Sequence, residues 1–258
     1  MNLLAAALAA LALVGEPAAV TAEALLAAPD PGRVDYYALK SQLGARGLME
    51  LRNQTLAVLQ GRGIGYLGPG CISANQARVL TGLVLAAESK TPEAFSADRA
   101  AGEALFARES ALWPRLQAGE DLGPQYKEVA AALRRSAAAT DPRLRELFAR
   151  LARDQFVRIS NPATVRSGPD GIADLPAFYA GQVGMTEWCE VDLANTAWLK
   201  AQLKDHGWFK LSRYGQEADT AAFLIVQHAD RDRAFQRERL GVLEKLVAEK
   251  ETRPRSYA

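Results

Sequence analysis

Apolar residues return every three or four positions through most of this chain, the spacing of one face of a helix rather than of a strand. Tyr36, Leu39, Leu43, Leu48, Leu51, Leu56 and Leu59 keep roughly to that spacing, interrupted by Gly44 and Gly47. A loop containing Gly61, Gly63, Gly65, Gly68, Pro69 and Gly70 then ends the pattern. A second helix is predicted over 72–88. Thr91-Pro92-Glu93 supplies a cap, a proline at the first helical position and an acid in the first turn, so a third helix starts there. A fourth covers 125–135. Asp141-Pro142 repeats the start signal for a fifth over 142–159, carrying Leu144, Leu147, Phe148, Leu151 and Phe156.

Residues 161–184 include Pro162, Gly168, Pro169, Gly171, Pro176, Gly181 and Gly184, and predict a long loop of the kind that often carries function. Helix six is expected over 186–206, with Trp188, Val191, Asn195, Trp198 and Gln202 on or near one face and Gly207 at the stop position. Helix seven is expected over 216–229, and helix eight over 230–250 with Asp230 as its cap. No segment sustains the alternation of a half-buried strand. The expected fold is therefore all-α, a multi-helix bundle or array of about eight helices without a substantial sheet. It divides into an N-terminal helical region, 23–140, and a C-terminal helical domain, 141–258.

The first 22 residues stand apart. Leu3 opens a run of 12 apolar residues ending at Val14, followed by Gly15, Pro17 and the small residues Val20 and Ala22. Twelve residues are too few to cross a bilayer, so 1–22 reads as a secretory signal peptide, although Met1-Asn2 lacks the usual basic residue. The expected location is periplasmic or secreted, with no stable membrane insertion after signal removal. In an oxidising compartment Cys71 and Cys189 can pair across 118 positions; two buried thiols are the alternative.

With 258 residues, 49% of them hydrophobic and 24% charged, the chain can bury a sizeable core. A net charge of +1 gives no general attraction to a phosphate backbone, so nucleic acid is not an expected partner. The glycine-rich loop lacks Gly-Lys-Ser/Thr and a preceding strand, which argues against a nucleotide cradle. His206 and His228 are 22 positions apart without a nearby cysteine pair, so no metal and no cofactor is expected.

Polar groups concentrate where helices end. Asp154 and Arg158, with Gln155 between them, and Asp192 with Asn195, share helix faces at spacings of four and three. Gln227, His228 and Asp230 close an apolar run, and Gln236 follows in the next helix. Converged, they would form a polar pocket with one imidazole. A carboxylate can orient that ring and support its protonated form near neutral pH. His228, Asp154 and Asp192 are the catalytic candidates. Arg158, Gln155, Asn195, Gln227, Asp230, Gln236 and Trp208 are the ligand-binding ones. The simpler reading is structural, with His228 against a helix dipole, Asp230 as a cap and Asp154–Arg158 as an ordinary ion pair.

Asp154-Gln155 with Arg158, Asp192 and Asn195, Gly207-Trp208, Gly215, and the stretch Ala-Ala-Phe-Leu-Ile-Val-Gln-His-Ala-Asp at 221–230 with Phe235-Gln236 resemble an uncharacterised bacterial domain family bearing a Gln-His-Ala-Asp signature. The likeness covers about 143–258. Family members have proline and a small hydroxyl residue after Gly-Trp, where this chain has Phe209-Lys210. They also continue beyond a Tyr-Ala like Tyr257-Ala258 into an Asp-Arg element and a terminal Gly-Thr-Gln, so the resemblance implies a tail that is absent here. It implies no reaction. Two functions follow as expectations: a binding or interaction module that takes a small polar ligand or an envelope protein around His228, or a His/Asp-dependent hydrolase-like enzyme acting on a polar or anionic substrate.

Overall fold

The structure, a computed structural model, describes residues 20–65, 68–160, 167–168 and 171–253; most of the predicted signal segment lies outside them. Ten α-helices are seen among these residues: α1 (Ala22–Leu26), α2 (Tyr36–Gly61), α3 (Ala74–Glu88), α4 (Pro92–Ser110), α5 (Leu112–Gln117), α6 (Lys127–Ala138), α7 (Pro142–Ile159), α8 (Leu175–His206), α9 (Leu211–Gln227) and α10 (Arg233–Ala248). The strands among them are the two-residue pair β1 (Ser167–Gly168) and β2 (Gly171–Ile172), joined antiparallel. The protein is all-α. Among the described residues no helix is long and apolar enough to cross a membrane.

Local signals set most of the helix starts. Thr91 accepts from the Ala94 amide at 3.1 Å and Asp141 from the Arg143 amide at 2.8 Å, each followed by its proline. The predicted loop at 161–184 is overturned in its second half, because α8 already begins at Leu175. Asp174 accepts from the Ala177 amide at 2.9 Å and Pro176 lies in the first turn, so this start carries the same chemistry as the other two. Gly181 sits buried inside the helix, where packing on α3 and α4 outweighs its poor propensity. The start of the last helix also shifts: Asp232, not Asp230, caps α10 by accepting from the Phe235 amide at 3.0 Å.

Two apolar clusters are strung on α8. Tyr179 and Val183, near its start, pack with Tyr36, Leu48, Leu51, Leu83 and Phe95 of the N-terminal helices. Leu199 and Leu203, near its end, pack with Leu147, Leu151, Phe156, Ile225 and Leu243. Close approach needs glycine at two places: a Cβ at Gly82 would stand 2.6 Å from the Tyr36 ring, and one at Gly102 would stand 2.8 Å from Tyr179.

Cys71 and Cys189 form a disulfide, Cα–Cα 5.8 Å, which fastens the glycine-rich loop to the middle of α8. Arg231 also holds this loop, donating from Nη1 to the carbonyls of Gly65, Gly68 (2.7 Å) and Gly70 (3.3 Å).

Candidate functional site

Leu147, Leu151 and Asp154 occupy successive turns of one face of α7, so the carboxylate continues an apolar stripe into the core. Its residue is 0% exposed. A buried carboxylate needs partners, and Asp154 has three. Gln155 donates to it at 2.8 Å and Arg158 at 3.2 and 3.4 Å, and Nδ1 of His228 lies 3.0 Å from both of its oxygens. The imidazole arrives from the turn after α9. His228 is the C-cap of that helix, its own amide donating to the Leu224 carbonyl at 3.0 Å. Gln236 fixes the turn, donating to the carbonyls of Val226 and Gln227 at 3.1 and 3.0 Å, groups that a helix end otherwise leaves unmet.

Asp192, from α8, completes the group. Arg158 donates to it at 2.5 Å while also serving Asp154, and stacks on the Trp188 ring with its guanidinium carbon 4.5 Å from the centroid. Burial pushes the Asp192 carboxyl up to about 7; Arg158 opposes the rise, and the charges of Asp154 and Asp230 add to it. For Asp154 burial acts in the same direction, but the His228 hydrogen bond and charge, with Arg158 behind them, outweigh it and hold the carboxyl below the usual aspartate range. One guanidinium thus serves a buried and a half-buried carboxylate, and the one that also holds His228 is the better ionised. Asp154, Asp192 and His228 offer three potential metal-ligating atoms within 4.8 Å of one another; the cation at both carboxylates is Arg158.

The group opens to solvent on one side. His228, its side chain 19% exposed, and Asp192 line a cleft of about 250 Å³ with Thr196, Lys200, Arg231 and Pro69 of the glycine-rich loop. With Nδ1 turned to Asp154, the imidazole Nε2 has no hydrogen-bond partner among the described residues. The site can therefore offer a carboxylate-oriented imidazole and a carboxyl group that exchanges its proton near neutrality.

The sequence-derived residues separate into groups. His228, Asp154, Arg158, Asp192 and Gln155 meet in one network. Asn195, one turn beyond Asp192, instead accepts from Arg150 at 3.3 Å. Gln236 and Asp230 bond to each other at 3.3 Å and shape the turn, and Gln227 is exposed. Trp208 is buried elsewhere, where its indole donates to Asp219 at 2.8 Å. Asp219 also accepts from Thr252 at 2.5 Å and from the Arg253 amide, docking the segment after α10. Sequence reasoning missed Thr196, Lys200, Arg231 and Pro69. The first two carry a signal, since they continue the row of Asp192 at spacings of four and eight.

Compared with known protein families, with curated proteins and with solved structures, the chain finds no match in any of the three.

Proposed function

We propose that this chain is a hydrolase-like acid–base enzyme of the periplasm or the extracellular space. The observation that carries the reading is the His228 imidazole, which lines a cleft and is held through Nδ1 by a wholly buried carboxylate while its Nε2 has no partner among the described residues. Water in the cleft would give its proton to Nε2 and its oxygen to the substrate's electrophilic centre. Asp154 would stabilise the imidazolium that forms, and the Asp192 carboxyl would give its proton to the leaving group. The Cys71–Cys189 disulfide and the signal-like segment support export. The Gln-His-Ala-Asp resemblance directs attention to the same residues and supplies no reaction.

The test is a panel of ester, phosphoester and amide reporter substrates, turned over by the wild-type protein and by His228→Gln. Loss of about 100-fold or more in kcat with unchanged folding is expected. Turnover indifferent to His228→Gln overturns the reading.

A second reading, a binding module for a small polar ligand or an envelope protein, has its own support. Arg158 offsets both carboxylates, and no serine or cysteine side chain is among the described residues lining the cleft. Native mass spectrometry of the purified protein separates the two, because a small molecule retained without turnover favours binding.

A further inference from the structure

Asp192, Thr196 and Lys200 face the cleft from successive turns of α8, so Thr196 and Lys200 stand about 6 and 12 Å along the helix from Asp192. Thr196 departs from the other buried helical threonines. Thr55, Thr81 and Thr186 donate their hydroxyls to backbone carbonyls of their own helices at 2.8, 2.6 and 2.8 Å, the usual outlet for threonine in a helix. The Thr196 hydroxyl has no hydrogen-bond partner among the described residues, although Thr196 is only 8% exposed and lines the cleft. Its oxygen is not sealed from solvent, so the hydroxyl reaches the cleft as a donor that a bound acceptor can take.

One turn farther, Lys200 Nζ lies 2.8 Å from Asp232, and its side chain is half exposed. Asp232 is itself committed, one oxygen to Lys200 and the other to the Phe235 amide. An ammonium has three donors, and this one spends a single donor here. The far end of the cleft therefore holds two groups with spare donors, the neutral Thr196 hydroxyl about one helical turn from Asp192 and the cationic Lys200 about two turns from it.

We propose that Thr196 and Lys200 form a carboxylate-binding subsite, so that the cleft takes an elongated molecule with a monoanionic carboxylate at the end remote from His228. One carboxylate oxygen accepts from the Thr196 hydroxyl and the other from Lys200. The charge balance favours a monoanion. Asp232 already sits on Lys200 and Asp192 faces the same cleft, while the other cation lining it, Arg231, gives its Nη1 to the carbonyls of Gly65, Gly68 and Gly70, so the second charge of a phosphate dianion gains less here than it costs beside two carboxylates. The direction assigned to the molecule rests on the acid–base reading of His228; the subsite itself does not.

The test is calorimetric titration of the full chain with N-acetylglycine, N-acetyl-β-alanine and N-acetyl-γ-aminobutyrate, each beside its own amide, and with inorganic phosphate. At least one acid is expected to bind about tenfold or more tightly than its amide, the scale of a charge-assisted hydrogen bond. Thr196→Val and Lys200→Met should each weaken that acid about tenfold, Thr196→Ser should restore it, and His228→Gln should change it less than about threefold. Thermal melts establish that the variants are folded. The subsite is overturned if no acid binds below about 10 mM, if acids and amides bind alike, if phosphate binds more tightly than every acid, or if both variants keep wild-type affinity. Acid binding that survives in a protein without His228-dependent turnover keeps the subsite and removes only the catalytic reading.

Discussion

Nδ1 of His228 lies 3.0 Å from each oxygen of Asp154, a carboxylate that belongs to a residue with no exposed surface. The contact joins the end of α9 to the buried face of α7, 74 positions apart. It fixes which ring nitrogen is left for the cleft, because the nitrogen facing Asp154 is spoken for.

Replacing Asp154 with alanine removes the acceptor shared by Gln155, Arg158 and His228 and leaves their donors facing the core. A loss of about 3 kcal/mol is expected. Urea unfolding of Asp154→Ala checks it, and a loss under about 1 kcal/mol would show the network to be peripheral to stability.

Asp192 gives the stability a pH dependence of definite sign. Burial raises its folded carboxyl from the ordinary 3.8 to about 7, so between those values the native state holds more of its proton than the unfolded state does. Stability from this residue is then full below about pH 4 and falls as pH rises to about 7. Asp154, held below the usual range, acts oppositely and withdraws its contribution only at more acid pH. Relative to wild type, Asp192→Asn should therefore become progressively more stable from about pH 4 to 7, read from urea midpoints at each pH.

Reduction of Cys71–Cys189, or Cys71→Ser with Cys189→Ser, should cost about 4 to 5 kcal/mol in the chain-entropy account, given the 118-residue separation. It should also loosen the wall formed by Pro69, which then rests on Arg231 and on the loop's own Gly70–Gly63 and Gly65–Gly70 backbone hydrogen bonds. Unfolding with and without dithiothreitol measures the first effect, and amide exchange at Gly68 and Gly70 measures the second.

Asp219→Ala should cost about 2 to 3 kcal/mol, because the Trp208 indole and the Thr252 hydroxyl lose their shared acceptor in a buried place. Limited proteolysis should also cut after α10 sooner than in wild type. Unchanged cleavage there would mean the contact does not hold that segment.

Legibility followed the range of the physics. The helix starts at Pro92 and Pro142 could be read because a cap, a proline and an acid or an apolar periodicity act within one turn. The start at Leu175 carried the same signal in Asp174 and Pro176, but Gly181 and Gly184 concealed it. Intrinsic propensity disfavours glycine there, and only packing against α3 and α4 overrides it. Asp154 and His228 could be picked out as polar groups in apolar surroundings, whereas Thr196, Lys200 and Arg231 look like ordinary surface residues until the cleft is formed.

By itself, then, the sequence determined that the chain is helical and where most helices begin, because these depend on neighbours within a few residues; it placed Asp192 and Asn195 near a helix start, whereas both lie midway along α8. Only the tertiary structure decided which polar groups meet. Asp154 met His228, Arg158 reached Asp192, Asp219 took Trp208, and the Asn195 Oδ1 accepted from Arg150, because burial removes water and most buried polar groups then find partners across the fold.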